Sequence, residues 1–167
     1  ADRRYVLRRK PPGVLLKSAH AVDREFRVQK ALAGSGVPVA KMFLLCEDDS
    51  VIGTAFYVME RIAGRIFWKP DLPEVSREDR AKIYDEMNRA LAALTTLDPQ
   101  KIGLSDFGRP GSYFERQFKR WTDQYRASET ETVKPMDDLI AWLSGHVPPD
   151  DGRVSIVHGD YRLDNMI

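Results

Sequence analysis

The spacing of apolar residues changes character along the chain. Tyr5-Val6-Leu7 is a short β-prone run, closed by Pro11-Pro12-Gly13. From Ala21 to Ala33 the apolar residues Val22, Phe26, Val28 and Leu32 recur near helical spacing, and Gly34 and Gly36 end the segment. Val39–Cys46 and Ala55–Glu60 read as strands. The turn-rich Glu47-Asp48-Asp49-Ser50 between them predicts an antiparallel hairpin. Helical patterns then take over. Ser76 with Asp79 forms a capping-box start. The helix it opens buries a stripe of Ile83, Tyr84, Met87, Leu91 and Leu94, and Pro99 lies just past its end. Ser112 with Glu115 offers a second start. There Phe114, Phe118, Trp121 and Tyr125 recur at three- and four-residue steps, a stripe expected in the core. A third helix is expected over Met136–Leu143. Val154–Val157 is a last short β segment that feeds directly into His158-Gly159-Asp160.

Strand, helix, strand, strand, then helices, is an α+β order. It predicts a small mixed lobe over residues 1–64 and a mostly helical lobe over 65–167, with a cleft between lobes as the natural place for a ligand. The sequence shows no internal repeat and no low-complexity stretch.

Composition narrows the function classes. In 167 residues, 43% are hydrophobic and 31% charged, which fits a folded domain rather than a disordered one. The net charge of +1 gives no global field for nucleic acid or membrane. The basic N-terminal residues are too local to make a nucleic-acid binder. No apolar run approaches a membrane span, and the N-terminus lacks the apolar region of a signal peptide. The single cysteine, Cys46, sits in the apolar run Phe43–Cys46 and reads as a small hydrophobe. A reducing, cytoplasmic setting is expected. His20, His146 and His158 are too far apart for metal-ligand spacing.

The strongest chemical signal is His158-Gly159-Asp160-Tyr161-Arg162-Leu163-Asp164-Asn165. Protein kinases carry H-R-D, four residues and an Asn, and Asp160 and Asn165 keep that separation. Phosphoryl transfer calls for a carboxylate beside the attacking hydroxyl and an oxygen ligand for Mg²⁺. A tight loop after a strand can aim both into one cleft. Asp and Asn also make turn hydrogen bonds readily, so the motif alone does not separate a catalytic loop from a turn.

The loop resembles that of the aminoglycoside phosphotransferase and choline kinase superfamily, in which Gly replaces the kinase Arg. The resemblance runs over essentially the whole chain, through Tyr5–Leu16, Ala19–Leu32, Val51–Gly64 and His158–Asn165. Within the superfamily the sequence is most similar to the kinase-like domain that some proteins carry ahead of an acyl-CoA dehydrogenase, and to its free-standing bacterial relatives. The resemblance implies a protein-kinase-like fold and an ATP-dependent phosphotransferase that moves the γ-phosphate to a small-molecule hydroxyl, with Mg²⁺. The near-zero net charge and the lack of a long apolar run leave no nucleic-acid partner and no membrane partner expected. The acceptor the resemblance suggests is a hydroxylated acyl-CoA or a hydroxy acid.

Site residues follow from the same resemblance. Asp160 is the implied catalytic base and Asn165 the implied metal ligand. Arg162 takes the place of a kinase Lys that meets the γ-phosphate, although an ion pair with Asp164 is an equally simple use for it. Arg8 matches the strand residue that binds the α- and β-phosphates, and Glu25 matches the helix residue that holds it. The Glu60 carbonyl and the Ile62 N–H match the groups that bind the adenine edge.

Two features depart from the pattern. Asp106-Phe107-Gly108 spells the kinase metal motif but precedes the catalytic loop, so it is read as a chance loop. The subgroup leads one to expect a His near Thr95. The family's second metal Asp, its first strands and the remaining helices do not occur in this sequence, which reads as a protein-kinase-like chain truncated at both ends and expected to lack full activity. The alternative is a non-catalytic nucleotide-binding or interaction module that kept the fold.

Overall fold

The computed structural model describes residues 4–11, 21–109 and 111–167. Of the expectations above, Pro12-Gly13, His20 and the parts of the similar segments at 12–16 and 19–20 lie outside the described residues. The element order is β1 (Tyr5–Arg9), α1 (Val22–Leu32), β2 (Met42–Cys46), α2 (Asp49–Ile52), β3 (Phe56–Glu60), α3 (Arg77–Thr95), α4 (Tyr113–Ser128) and α5 (Lys134–Ser144). A single 3₁₀ turn, Leu163–Asn165, closes the described chain.

The strands form one antiparallel sheet in the order β1-β3-β2. β3 is central and carries the most buried strand residues, Phe56 and Tyr57. Helix α1 packs against β2 and β3. Val22, Ala55 and Tyr57 form the buried cluster, with Phe26, Met42, Leu45 and Met59 packed against it. The hairpin between β2 and β3 is as expected, but its connection contains the one-turn helix α2. Asp48 caps it, its carboxylate accepting the Ser50 N–H at 2.9 Å.

The loop after β3 leads to α3 without regular structure. Leu72 anchors it, with no exposed surface although its φ is +49°. Left-handed backbone costs a leucine about 1 kcal/mol, and full burial of its side chain returns about 2 kcal/mol. The Tyr84 hydroxyl donates to the Pro70 carbonyl at 2.6 Å and ties the same loop to α3. Ser76 caps α3 as its sequence indicates, its Oγ accepting the Asp79 N–H at 3.1 Å.

Four expectations need correction. Ser112 does not cap α4: its φ is +47° and its side chain accepts no cap hydrogen bond. Arg116 instead reaches back to the Gly111 carbonyl and, at 2.8 Å, to that of Arg109. The aromatic stripe of α4 is not core, since Phe114 is 53% and Trp121 56% exposed. Amphipathic spacing shows that a face can be buried but does not supply a partner for it. Val154–Val157 is not a strand. A strand needs a neighbour for its N–H and C=O groups, and among the described residues none pairs with it; only Ile156 is buried. The stripe of α3 is also thinner than expected, with Leu94 its one buried residue.

The residues group into two compact units. One holds residues 1–105 together with 155–167, so it contains the sheet, α1, α3 and the loop around Asp160. The other, residues 106–154, holds α4 and α5, joined by an Arg126–Asp137 ion pair at 2.5 Å.

Two stability predictions follow from these contacts. Ser76→Ala removes the cap of α3 and should cost about 1 kcal/mol, read as a lower urea midpoint with an unchanged slope. Burial, then the nearby Glu25 carboxylate, pushes the Tyr57 phenol above its ordinary value of 10.0. The neutral phenol is thus favoured in the folded state. Its contribution is complete below pH 10.0 and is lost as pH rises through the raised folded value. Stability should therefore fall more steeply above that pH in the wild type than in Tyr57→Phe, measured by denaturant titration at a series of alkaline pH values.

Candidate active site

Arg8 and Glu25 meet although seventeen positions apart, because β1 pairs with β3, the strand against which α1 packs. The Arg8 Nε donates to Glu25 Oε2 at 2.6 Å and its Nη2 donates to Oε1 at 3.2 Å. This side-on fork leaves the other N–H groups of the guanidinium for an anion. The hydrogen bond to Glu25 is also the main reason the Arg8 pKa is raised. Arg8 sits opposite Tyr57 in the β1–β3 register. The Tyr57 hydroxyl donates to the same Glu25 Oε2 at 3.1 Å.

The second cluster lies on the loop that begins at His158. Gly159 has φ +83°, the left-handed region that a side chain strains. A Cβ there would meet nothing within 4 Å, so the demand for glycine is conformational rather than steric. The loop is pinned on both sides of Asp160. His158 Nδ1 accepts the Asp160 N–H at 3.3 Å. The Tyr161 hydroxyl donates to the Met87 carbonyl of α3 at 2.6 Å, and Leu163 is buried.

Within this frame Asn165 folds back on Asp160. Its Nδ2 donates to Asp160 Oδ2 at 2.8 Å and to the Asp160 carbonyl at 3.0 Å. The amide nitrogen is thereby committed and the amide oxygen is turned the other way. Arg162 forms its ion pair with Asp164, through Nε at 2.9 Å and through a second contact from Nη2. That contact lowers the Asp164 pKa and raises that of Arg162. The Arg162 Nε is 3.8 Å from Asp160 Oδ1.

The structure thus brings the expected residues together as two clusters in one compact unit, Arg8 with Glu25 and Asp160 with Arg162 and Asn165. Glu60 ends β3, its side chain accepting the Lys41 N–H at 3.3 Å, and Ile62 follows it, exposed. A cavity of about 350 Å³ adjoins the loop, lined by Phe67, Trp68, Tyr84, Met87, Arg162 and Leu163 among others.

A magnesium ion fits this donor set in a limited way. Asp160 and Asn165 offer hard oxygen atoms on one loop. Among the described residues no group of three or more His, Cys, Asp or Glu could hold a metal alone. Mg²⁺ commonly rests on one or two protein ligands, with water and substrate phosphates completing its shell, so the set suits an ion that arrives with a nucleotide.

Two residues that sequence reasoning passed over belong to the site. Tyr161 anchors the loop to α3. Tyr57 was legible only as a strand residue, because its link to Glu25 depends on a strand register that local patterns do not reveal.

The chain is similar to known proteins. The chain is 50% identical over 167 residues to Acyl-CoA dehydrogenase family member 10 of Mus musculus, covering 100% of this chain and 16% of that protein. It is 48% identical over 163 residues to Acyl-CoA dehydrogenase family member 11 of Mus musculus, covering 98% and 21%. The crystal structure of a candidate aminoglycoside phosphotransferase from Ralstonia eutropha superposes with a TM-score of 0.86 at 55% identity, covering 98% of this chain and 47% of that one. The fold is therefore protein-kinase-like, and the chain spans only about a fifth of these dehydrogenase relatives and under half of the solved chain. The profile of the Phosphotransferase enzyme family matches residues 1–167, and the chain belongs to that family.

Proposed function

We propose that the protein transfers the γ-phosphoryl group of ATP to the hydroxyl of a small molecule. The observation that carries this reading is the Asn165–Asp160 contact, which ties a carboxylate and a side-chain amide to one glycine-dependent loop. In this reading Asp160 takes the proton of the acceptor hydroxyl as its oxygen forms the new bond to phosphorus and the bond to ADP breaks. Asn165 would hold magnesium, which when bound offsets charge on the phosphates.

Arg8, oriented by Glu25, contacts the α- and β-phosphates. Arg162 is exposed, and exposed ion pairs are weak, so a triphosphate competes readily with Asp164 for it. The Glu60 carbonyl and the Ile62 N–H face the adenine edge. The acceptor we favour is a hydroxylated acyl-CoA or a hydroxy acid. What supports it is the naming of the relatives as acyl-CoA dehydrogenases, together with a largely apolar cavity beside the loop that also carries the Arg162–Asp164 pair. Among the described residues no helix is long and apolar enough to cross a membrane.

The limited metal-ligand set favours one competing reading, a nucleotide-binding module without turnover. ATP consumption by the full-length protein, with a panel of hydroxylated acceptors and with or without Mg²⁺, separates the two. Transfer that stops when magnesium is chelated supports the kinase. ATP binding without transfer to any acceptor supports the module.

Two variants test the assignments. Asp160→Asn should lower turnover by about 100-fold or more while ATP affinity stays near wild type; persistent turnover would remove Asp160 as the base. Arg8→Ala should weaken ATP binding by about tenfold, measured by calorimetry, and unchanged affinity would take Arg8 out of the site.

A further inference from the structure

Tyr57 is 1% exposed and lies in the centre of the sheet, yet it carries a polar group. A buried hydroxyl is costly unless it is hydrogen-bonded. On α1 the phenol has Gln29 and Glu25 as partners. Gln29 Nε2 donates to its oxygen at 3.4 Å, and its own hydrogen goes to Glu25 Oε2 at 3.1 Å. The amide nitrogen can only donate, so the single phenol hydrogen is directed to the carboxylate.

Glu25 and Arg8 are placed differently. Their side chains are 30% and 47% exposed. Ion pairs in such surroundings are weak, and holding two long side chains in one geometry costs entropy. The aromatic ring has no such freedom. It is fixed among Val22, Phe26 and Met59 and stands opposite Arg8 in the strand register. Being neutral, it restrains the carboxylate without cancelling the charge that Arg8 needs.

We propose that Tyr57 is a positioning residue for nucleotide binding, its buried hydroxyl fixing Glu25 and, through Glu25, the fork of Arg8. The inference rests on the reading of Arg8 as the phosphate-binding residue. It adds a link from the core of the sheet to the site. The raised pKa of the phenol agrees with a hydroxyl that stays protonated and donating across the physiological range.

A double-mutant cycle tests it. Tyr57→Phe deletes one hydroxyl and keeps the ring that fills the core. MgATP affinity would be measured by calorimetry in full-length wild type, Tyr57→Phe, Arg8→Ala and the double variant, with thermal unfolding as a check on folding. Tyr57→Phe should weaken MgATP binding by about fivefold, the scale of the net contribution of one ordinary hydrogen bond. In the Arg8→Ala background the same change should have almost no further effect, because the residue acts through Arg8. A merely structural role would instead give a loss that repeats in both backgrounds, and that result overturns the inference, as does unchanged affinity in Tyr57→Phe. If Arg8→Ala itself leaves affinity unaltered, the phosphate-binding reading falls and the inference falls with it. If Arg8→Ala weakens binding and Tyr57→Phe does not, only the role of Tyr57 is lost.

Discussion

One carboxylate joins the parts of this structure that matter most. Glu25 projects from α1 and receives the guanidinium of β1 and the phenol of β3 at once. Without it Arg8 would lose its fork, and the apolar contacts between sheet and helix, which are non-directional, would let it move among rotamers. With it, strand register, helix rotation and a charged side chain are set by the same few atoms. The geometry is legible as chemistry because a directional contact sits on top of an apolar cluster.

The loop at Asp160 solves the same problem differently. Its polar residues are exposed and would be floppy alone. Two uncharged anchors, the Tyr161 hydroxyl on α3 and the buried Leu163, hold the loop from below. Gly159 supplies the left-handed turn that a side chain would strain. Asn165 then ties the loop across its mouth. In both clusters a charged group exposed to water is held by a neutral group that is not.

Much of this was legible in the sequence, and what was not has a common cause. Elements set by local chemistry read well: the β3 run, the α1 pattern with its two closing glycines, and the Ser76 cap. The Arg8–Glu25 pair was named because a family resemblance ties residues far apart in sequence, and the Asp160–Asn165 pair because the two keep the kinase spacing on one short loop. Failures arose where a local pattern lacked its distant partner. Val154–Val157 has the composition of a strand but no strand to pair with among the described residues. The stripe on α4 has helical spacing, yet Phe114 and Trp121 stay exposed. Ser112 and Glu115 stand at capping-box spacing, but the backbone at Ser112 is left-handed, so its hydroxyl cannot serve as a cap.

Tyr57 was missed for the opposite reason: its local reading was correct and incomplete. As a central-strand aromatic it needed no further explanation, and its hydroxyl passed as a detail. Register changes that. Once Arg8 is opposite Tyr57, and α1 covers the same strand, the phenol has partners within reach on the helix. Gln29 and Glu25 are one turn apart on that helix, so one donates to the oxygen and the other accepts the hydrogen. A polar atom in an apolar cluster thus carries information that composition cannot, because its burial is tolerable only with both partners in place.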